Sequence, residues 1–157
     1  MTGNSEVVKA LQAAAAAEAR LNLQYRLDSR SLKFMGVKKV AKKAKKFGDD
    51  AHSFLKQVTD RVLFLGGNPS YIAAVVTEAP TFTAVIENEL ALELGIVQPY
   101  EQAVQLAAKA LDDTTRNLFE HLLKWHQKHI AWLERQVRLM AGFAQDTGES
   151  RYIAEKL

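Results

Sequence analysis

The chain has 157 residues, 48% of them hydrophobic, and a formal net charge of +3, which suits one domain, residues 1–157, around a single core. It has no cysteine, so disulfides and thiolate metal sites are excluded and any metal must be held by His, Asp, Glu or water. The opening stretch MTGNSEVVKALQAAAAAEARL carries Glu6, Lys9, Glu18 and Arg20 among its alanines; it lacks the apolar run of a secretory signal and reads as mature protein, expected in the cytoplasm.

In chain order, the breakers are Gly36, Gly66-Gly67-Asn68-Pro69, Pro80, Gly95 with Pro99, Gly142 and Gly148. Between them the apolar residues repeat at helical spacing. The first helix is predicted from an N-cap near Ser5 to Phe34, and the second from near Val37 to Leu65. The start of the second, GVKKVAKKAKKF (36–47), keeps Val37, Val40, Ala41, Ala44 and Phe47 on one face and lysines on the other. That pattern reads as a solvated helix face, or alternatively as an anion-attracting patch for DNA or an acidic partner. A link of about fifteen residues follows. The longest uncharged run, Val62 to Thr77, contains the Gly-Gly-Asn-Pro break and cannot cross a bilayer as a helix. The third helix opens near Thr81 or Thr83, and Pro99, which removes the hydrogen bond to the Gly95 carbonyl, is expected to bend it. The fourth runs from near Asp113 or Thr114 to about Gly142, and a short fifth covers Ser150 to Lys156. No strand pattern competes. Short turns within each pair and one long link between the pairs predict an all-α four-helix bundle of two hairpins joined by a crossover.

Polar residues interrupt three of the four apolar stripes. Glu18 lies in the stripe Val8, Leu11, Ala14, Ala15, Leu21 and Tyr25 of the first helix. Glu93 lies in Ile86, Leu90, Val97, Tyr100 and Val104 of the third, and both His126 and His129 lie in Phe119, Leu122, Leu133 and Met140 of the fourth. All four sit near mid-helix, so two carboxylates and two imidazoles are expected at one depth of the bundle. Buried unpaired charges cost several kcal/mol, so these groups must satisfy one another or hold a divalent metal. The donor set suits iron, manganese or zinc. Tyr25 is either a hydrogen-bond partner of that cluster or a core aromatic. The second helix reads apolar throughout, with Phe47, Ala51, Phe54, Val58 and Leu65, and is expected to add nothing. His121 lies off the stripe and has no assigned role.

The segments AEARLNLQYRL (17–27), RVLFLGGNPS (61–70), ENELALELGI (87–96) and HIAWLE (129–134) together resemble bacterioferritin along nearly the whole chain. The resemblance implies a ferritin-like bundle that assembles into a closed cage of 24 subunits built from twofold dimers. It also implies iron storage, haem b bound between two subunits, and a ferredoxin-type reductant. The family's di-iron motif is a glutamate on the first helix, Glu-x-x-His on the second, a glutamate on the third and Glu-x-x-His on the fourth. This chain matches it at Glu18, Glu93 and His129 and departs at Ala51, Phe54 and His126. Both bridging carboxylates and one histidine are therefore replaced, and a normal di-iron ferroxidase is not expected, since paired irons need bridging anions. His52 stands where the family has its haem-ligating methionine, so the resemblance makes it an axial ligand, with Arg26 and Lys45 as partners for propionates.

Three functions follow. The first is a bacterioferritin-like cage subunit for iron storage or haem binding, as a homo-oligomer or co-assembled with a ferroxidase-competent paralogue. The second is a mononuclear metal protein or oxidoreductase using Glu18, Glu93, His126 and His129. The third is a non-catalytic anion-binding or DNA-binding protein acting through Lys38 to Lys46, although nucleic acid is not the expected partner because no base-reading motif is present. A membrane is not expected as a partner either.

Overall fold

A computed structural model describes residues 4–71 and 75–146. It contains four helices, α1 (Ser5–Phe34), α2 (Lys38–Phe64), α3 (Phe82–Lys109) and α4 (Asp113–Asp146), and no strand among the described residues. The fifth helix expected at Ser150 to Lys156 lies outside them. The first N-cap is Asn4 and not Ser5: its side-chain oxygen accepts the backbone N–H groups of Glu6 and Val7, two of the donors that a helix start leaves unpaired. Thr81 does the same for Ala84 at the start of α3. Gly36 ends the first hairpin at φ 85°, which lets Val37 N–H reach back to the Leu32 carbonyl and closes α1. Leu111, at φ 55°, makes the equivalent turn between α3 and α4, where Asp112 N–H reaches the Ala107 carbonyl.

The helices pack as predicted from the loop lengths: α1 lies along α2, α3 along α4, and the two hairpins meet through α1 with α3 and α2 with α4. Contacts between Tyr25 and Glu93 and between Tyr100 and Glu18 run α1 and α3 antiparallel. His129 with Asp50 and Thr115 with Arg61 do the same for α2 and α4. A 30-residue helix spans about 45 Å, so mid-helix residues of all four elements share one layer. The core is the expected set with small rotations. Val7 is more deeply buried than Val8, and Val85, Ile96 and Ala103 are deeper than Leu90, Val97 and Val104. α3 runs unbroken through Pro99. The lysines of residues 38–46 stand outward, with Lys43 half-buried over Phe47 and Trp132, while Val37, Val40, Ala41, Ala44 and Phe47 point inward as their spacing requires.

Candidate metal centre

α1, α3 and α4 each deliver their out-of-place polar residues to the middle of the bundle. Glu18, Glu93 and His126 are completely buried and His129 is 2% exposed. The expectation that these four meet is met, and His126 is the hub. Its Nδ1 lies 2.6 Å from Glu93 Oε2 and its Nε2 2.6 Å from Glu18 Oε1. The imidazole therefore stands between the two glutamates, one carboxylate on each nitrogen.

The electrostatics follow from that geometry. Burial alone would lower the pKa of His126, but the charges of Glu18 and Glu93 and their hydrogen bonds outweigh it and raise it from 6.5 to about 10. Burial alone would raise Glu93, but hydrogen bonds from His126 and His129, and their charges, hold it at about 2. An imidazolium donating from both nitrogens gives each of the two buried carboxylates a charged hydrogen-bond partner, while Glu18 Oε2 has no donor.

Two tyrosines complete the cluster. Tyr25 O–H donates to Glu93 Oε1 at 2.5 Å, and Tyr100 O–H donates to Glu18 Oε1 at 2.8 Å. Burial first, and the neighbouring carboxylates second, push both phenols well above 10, so both remain donors. Gly48 lets α2 approach here: a Cβ at that position would sit 3.2 Å from Tyr25 Cβ. Tyr25 is thus a partner of the cluster and not merely a core aromatic. Tyr100 was legible in the sequence only as a stripe residue about two turns from Glu93; its partner on another helix was not.

One expectation needs correcting. The second helix was expected to give nothing, yet Asp50 of α2 places Oδ2 3.1 Å from His129 Nε2, while His129 Nδ1 meets Glu93 Oε1 at 3.0 Å. Asp50 sits beside the apolar stripe and not in it, so a search of the stripe passes over it. Of the four candidate ligands, three converge most closely. Glu93, His126 and His129 offer ligand atoms within 4.8 Å of one another, whereas Glu18 faces them from the far side of the His126 ring. Phe47 stacks on His129 at 3.9 Å between centroids, and Phe54 meets His126 edge-on at 5.4 Å. Ala51 and Phe54 are buried apolar packing.

His52 is exposed on the outer face of α2. One helical turn from it, Asp49 holds Arg26 of α1 at 2.6 Å, and Lys45 is exposed a further turn away. His121 is exposed and lies edge-on to Phe54.

A crossover-linked four-helix bundle with carboxylates and histidines at its midpoint defines a ferritin-like domain, and residues 8–143 match the model of that family. The chain is 30% identical over 141 residues to bacterioferritin from Mycolicibacterium paratuberculosis, covering 89% of each sequence. It is 29% identical over 157 residues to that of Streptomyces coelicolor, covering 98% of this chain and 90% of the relative. The solved bacterioferritin of Rhodobacter capsulatus, with a metal-free dinuclear site and a haem iron, superposes with a TM-score of 0.83 at 28% identity over 90% of this chain and 89% of that one. The chain belongs to the bacterioferritin family.

Proposed function

We propose that the chain is an iron-storing subunit of a bacterioferritin-type cage in which a proton-bridged Glu18–His126–Glu93 cluster replaces the di-iron oxidation centre. The observation that carries this is the His126 ring, held 2.6 Å from a carboxylate on either side. A di-iron pair does not fit these residues. The His126 imidazolium occupies carboxylate oxygens that would receive iron, the positions of both bridging carboxylates hold Ala51 and His126, and Ala51 and Phe54 fill the α2 side of the site with packed side chains. Oxidation of incoming iron then falls to a co-assembled paralogue with the complete ligand set, and this chain contributes cage and storage volume. Purified alone, it oxidises ferrous iron no faster than buffer does; a rapid phase saturating at about two irons per subunit would overturn the reading.

The convergence of Glu93, His126 and His129 supports a second reading, a single divalent ion on two imidazoles and one carboxylate. The residues fit such an ion once His126 gives up its proton, with Glu18 left to accept a proton beside it. With a pKa of about 10, that proton weakens metal uptake at neutral pH by on the order of a thousandfold. Metal content per subunit accordingly rises with pH in dialysis and vanishes in His129→Ala. Metal bound stoichiometrically near pH 6 would show that His126 is not protonated in the protein.

A haem site is supported by His52 alone, an open imidazole on α2 that a twofold partner would duplicate on the opposite face of the ring. Haem held this way would carry electrons at a lower potential than with thioether ligands. A Soret band in the purified protein that is lost in His52→Leu is the expected result.

A further inference from the structure

We propose that Asp28 of α1 and Glu89 of α3 share a single proton and that this proton latches the crossover between α2 and α3 onto the bundle. Both residues are only 1% exposed, and their carboxyl groups lie within hydrogen-bond reach of each other. Asp28 Oδ1 accepts from Gln24 Nε2 at 2.9 Å, but Asp28 Oδ2 and both oxygens of Glu89 have no donor. Two ionised carboxylates cannot be held face to face in a dry core without a cation. Among the described residues no lysine, arginine or histidine acts on either group. The titratable groups bearing on them are Glu93, also on α3, whose charge disfavours a second negative charge on Glu89, and Tyr25 on α1, a phenol that these carboxylates keep neutral. The described residues of α2, α4 and the crossover bring no compensating cation to them. One proton, on Glu89 and donated to Asp28, resolves the conflict: it removes one charge and supplies the missing hydrogen bond. Burial first, and the paired carboxyl second, accordingly raise Glu89 well above its ordinary range.

Gln24 connects the pair to the surface. Its Nε2, besides bonding Asp28, donates to the Thr77 carbonyl at 2.8 Å, and its Oε1 accepts Thr77 N–H at 2.9 Å. The side-chain amide thus grips the extended crossover backbone at both polar atoms, as a neighbouring strand would. Asp28 fixes the orientation of that amide. Ionising the pair would drive the two carboxylates apart, free the Gln24 amide to turn, and release Thr77. The latch is closed at low pH and opens as pH rises.

The test is amide exchange across residues 75–81 of the full chain as a function of pH, corrected for intrinsic base catalysis. Protection of Thr77 N–H is expected to fall with rising pH, by up to about tenfold per unit once the shared proton leaves. In Glu89→Gln, whose amide donates to Asp28 without titrating, protection is expected to stay constant. A pH-independent wild type, or a variant that follows the wild type, overturns the proposal. Infrared spectroscopy reads the proton directly and without a pH scan. A buried protonated carboxyl band at neutral pH, absent from Glu89→Gln, supports the latch; its absence from wild type refutes it. Should Glu89→Gln not fold, Asp28→Asn offers the same amide donor from the other side and must show the same flat profile.

Discussion

His126 decides what the middle of this bundle is. An imidazolium is a cation of the right size to sit where a ferritin-like bundle would otherwise place metal, and it holds Glu18 and Glu93 from opposite edges. Removing it takes the shared cation from two buried carboxylates and leaves Glu18 with only the Tyr100 hydroxyl as a partner. His126→Ala is therefore expected to cost about 3–5 kcal/mol in denaturant unfolding. The pH dependence has a defined sign. His126 is raised from 6.5 to about 10, so its contribution to stability is complete below 6.5 and is lost as pH climbs toward 10. Glu93 is lowered from 4.5 to about 2, so its contribution is complete above 4.5 and is lost as pH falls toward 2. The cluster thus stabilises most between those two ordinary values. A thermal midpoint that rises from pH 6.5 to 9 in wild type, or a decline over that range as steep in His126→Gln as in wild type, would contradict the assignment.

At the scale of elements, the sequence was most informative where a helix must bury one stripe. Glu18, Glu93, His126 and His129 were found because each breaks an apolar run, and the bundle geometry brought them together as helix arithmetic required. Asp50, Tyr100 and the Asp28–Glu89 pair were missed for separable reasons. Asp50 approaches His129 from beside its stripe. Tyr100 is as ordinary in a core as any aromatic until its hydroxyl finds Glu18. Asp28 and Glu89 lie outside the apolar stripes read from the sequence, and only the rotation of α1 against α3 shows that these two point inward. The α2 stripe was read correctly as apolar, and that has a consequence for engineering. Ala51→Glu, Phe54→His and His126→Glu together rebuild the family's ligand set, and the triple variant is expected to gain saturable ferrous oxidation that the parent lacks. Ala51→Glu alone should only destabilise, since it adds a buried carboxylate without a partner.

At the scale of the whole molecule, the two hairpins are joined by polar contacts as well as by apolar packing. At one end of the bundle Arg61 of α2 bonds both Asp112 and Thr115 at the α3–α4 turn, at 2.7 and 2.9 Å. At mid-height the histidine cluster touches all four helices, and beyond it the Asp28–Glu89 pair binds α1 to α3. Of the described helices none is long and apolar enough to cross a membrane. The arrangement at mid-height bears on how the chain reaches its native state. Many metalloproteins wait for their ion: the apo chain is loose, and chelators undo the fold. Here the counter-charge for the central carboxylates is covalently part of α4 and arrives with the helix itself. The subunit is thus expected to mature at the same rate, and to melt at the same temperature, with or without a strong chelator present. A cell short of iron would still hold finished subunits, folded before there is any ion for them to receive.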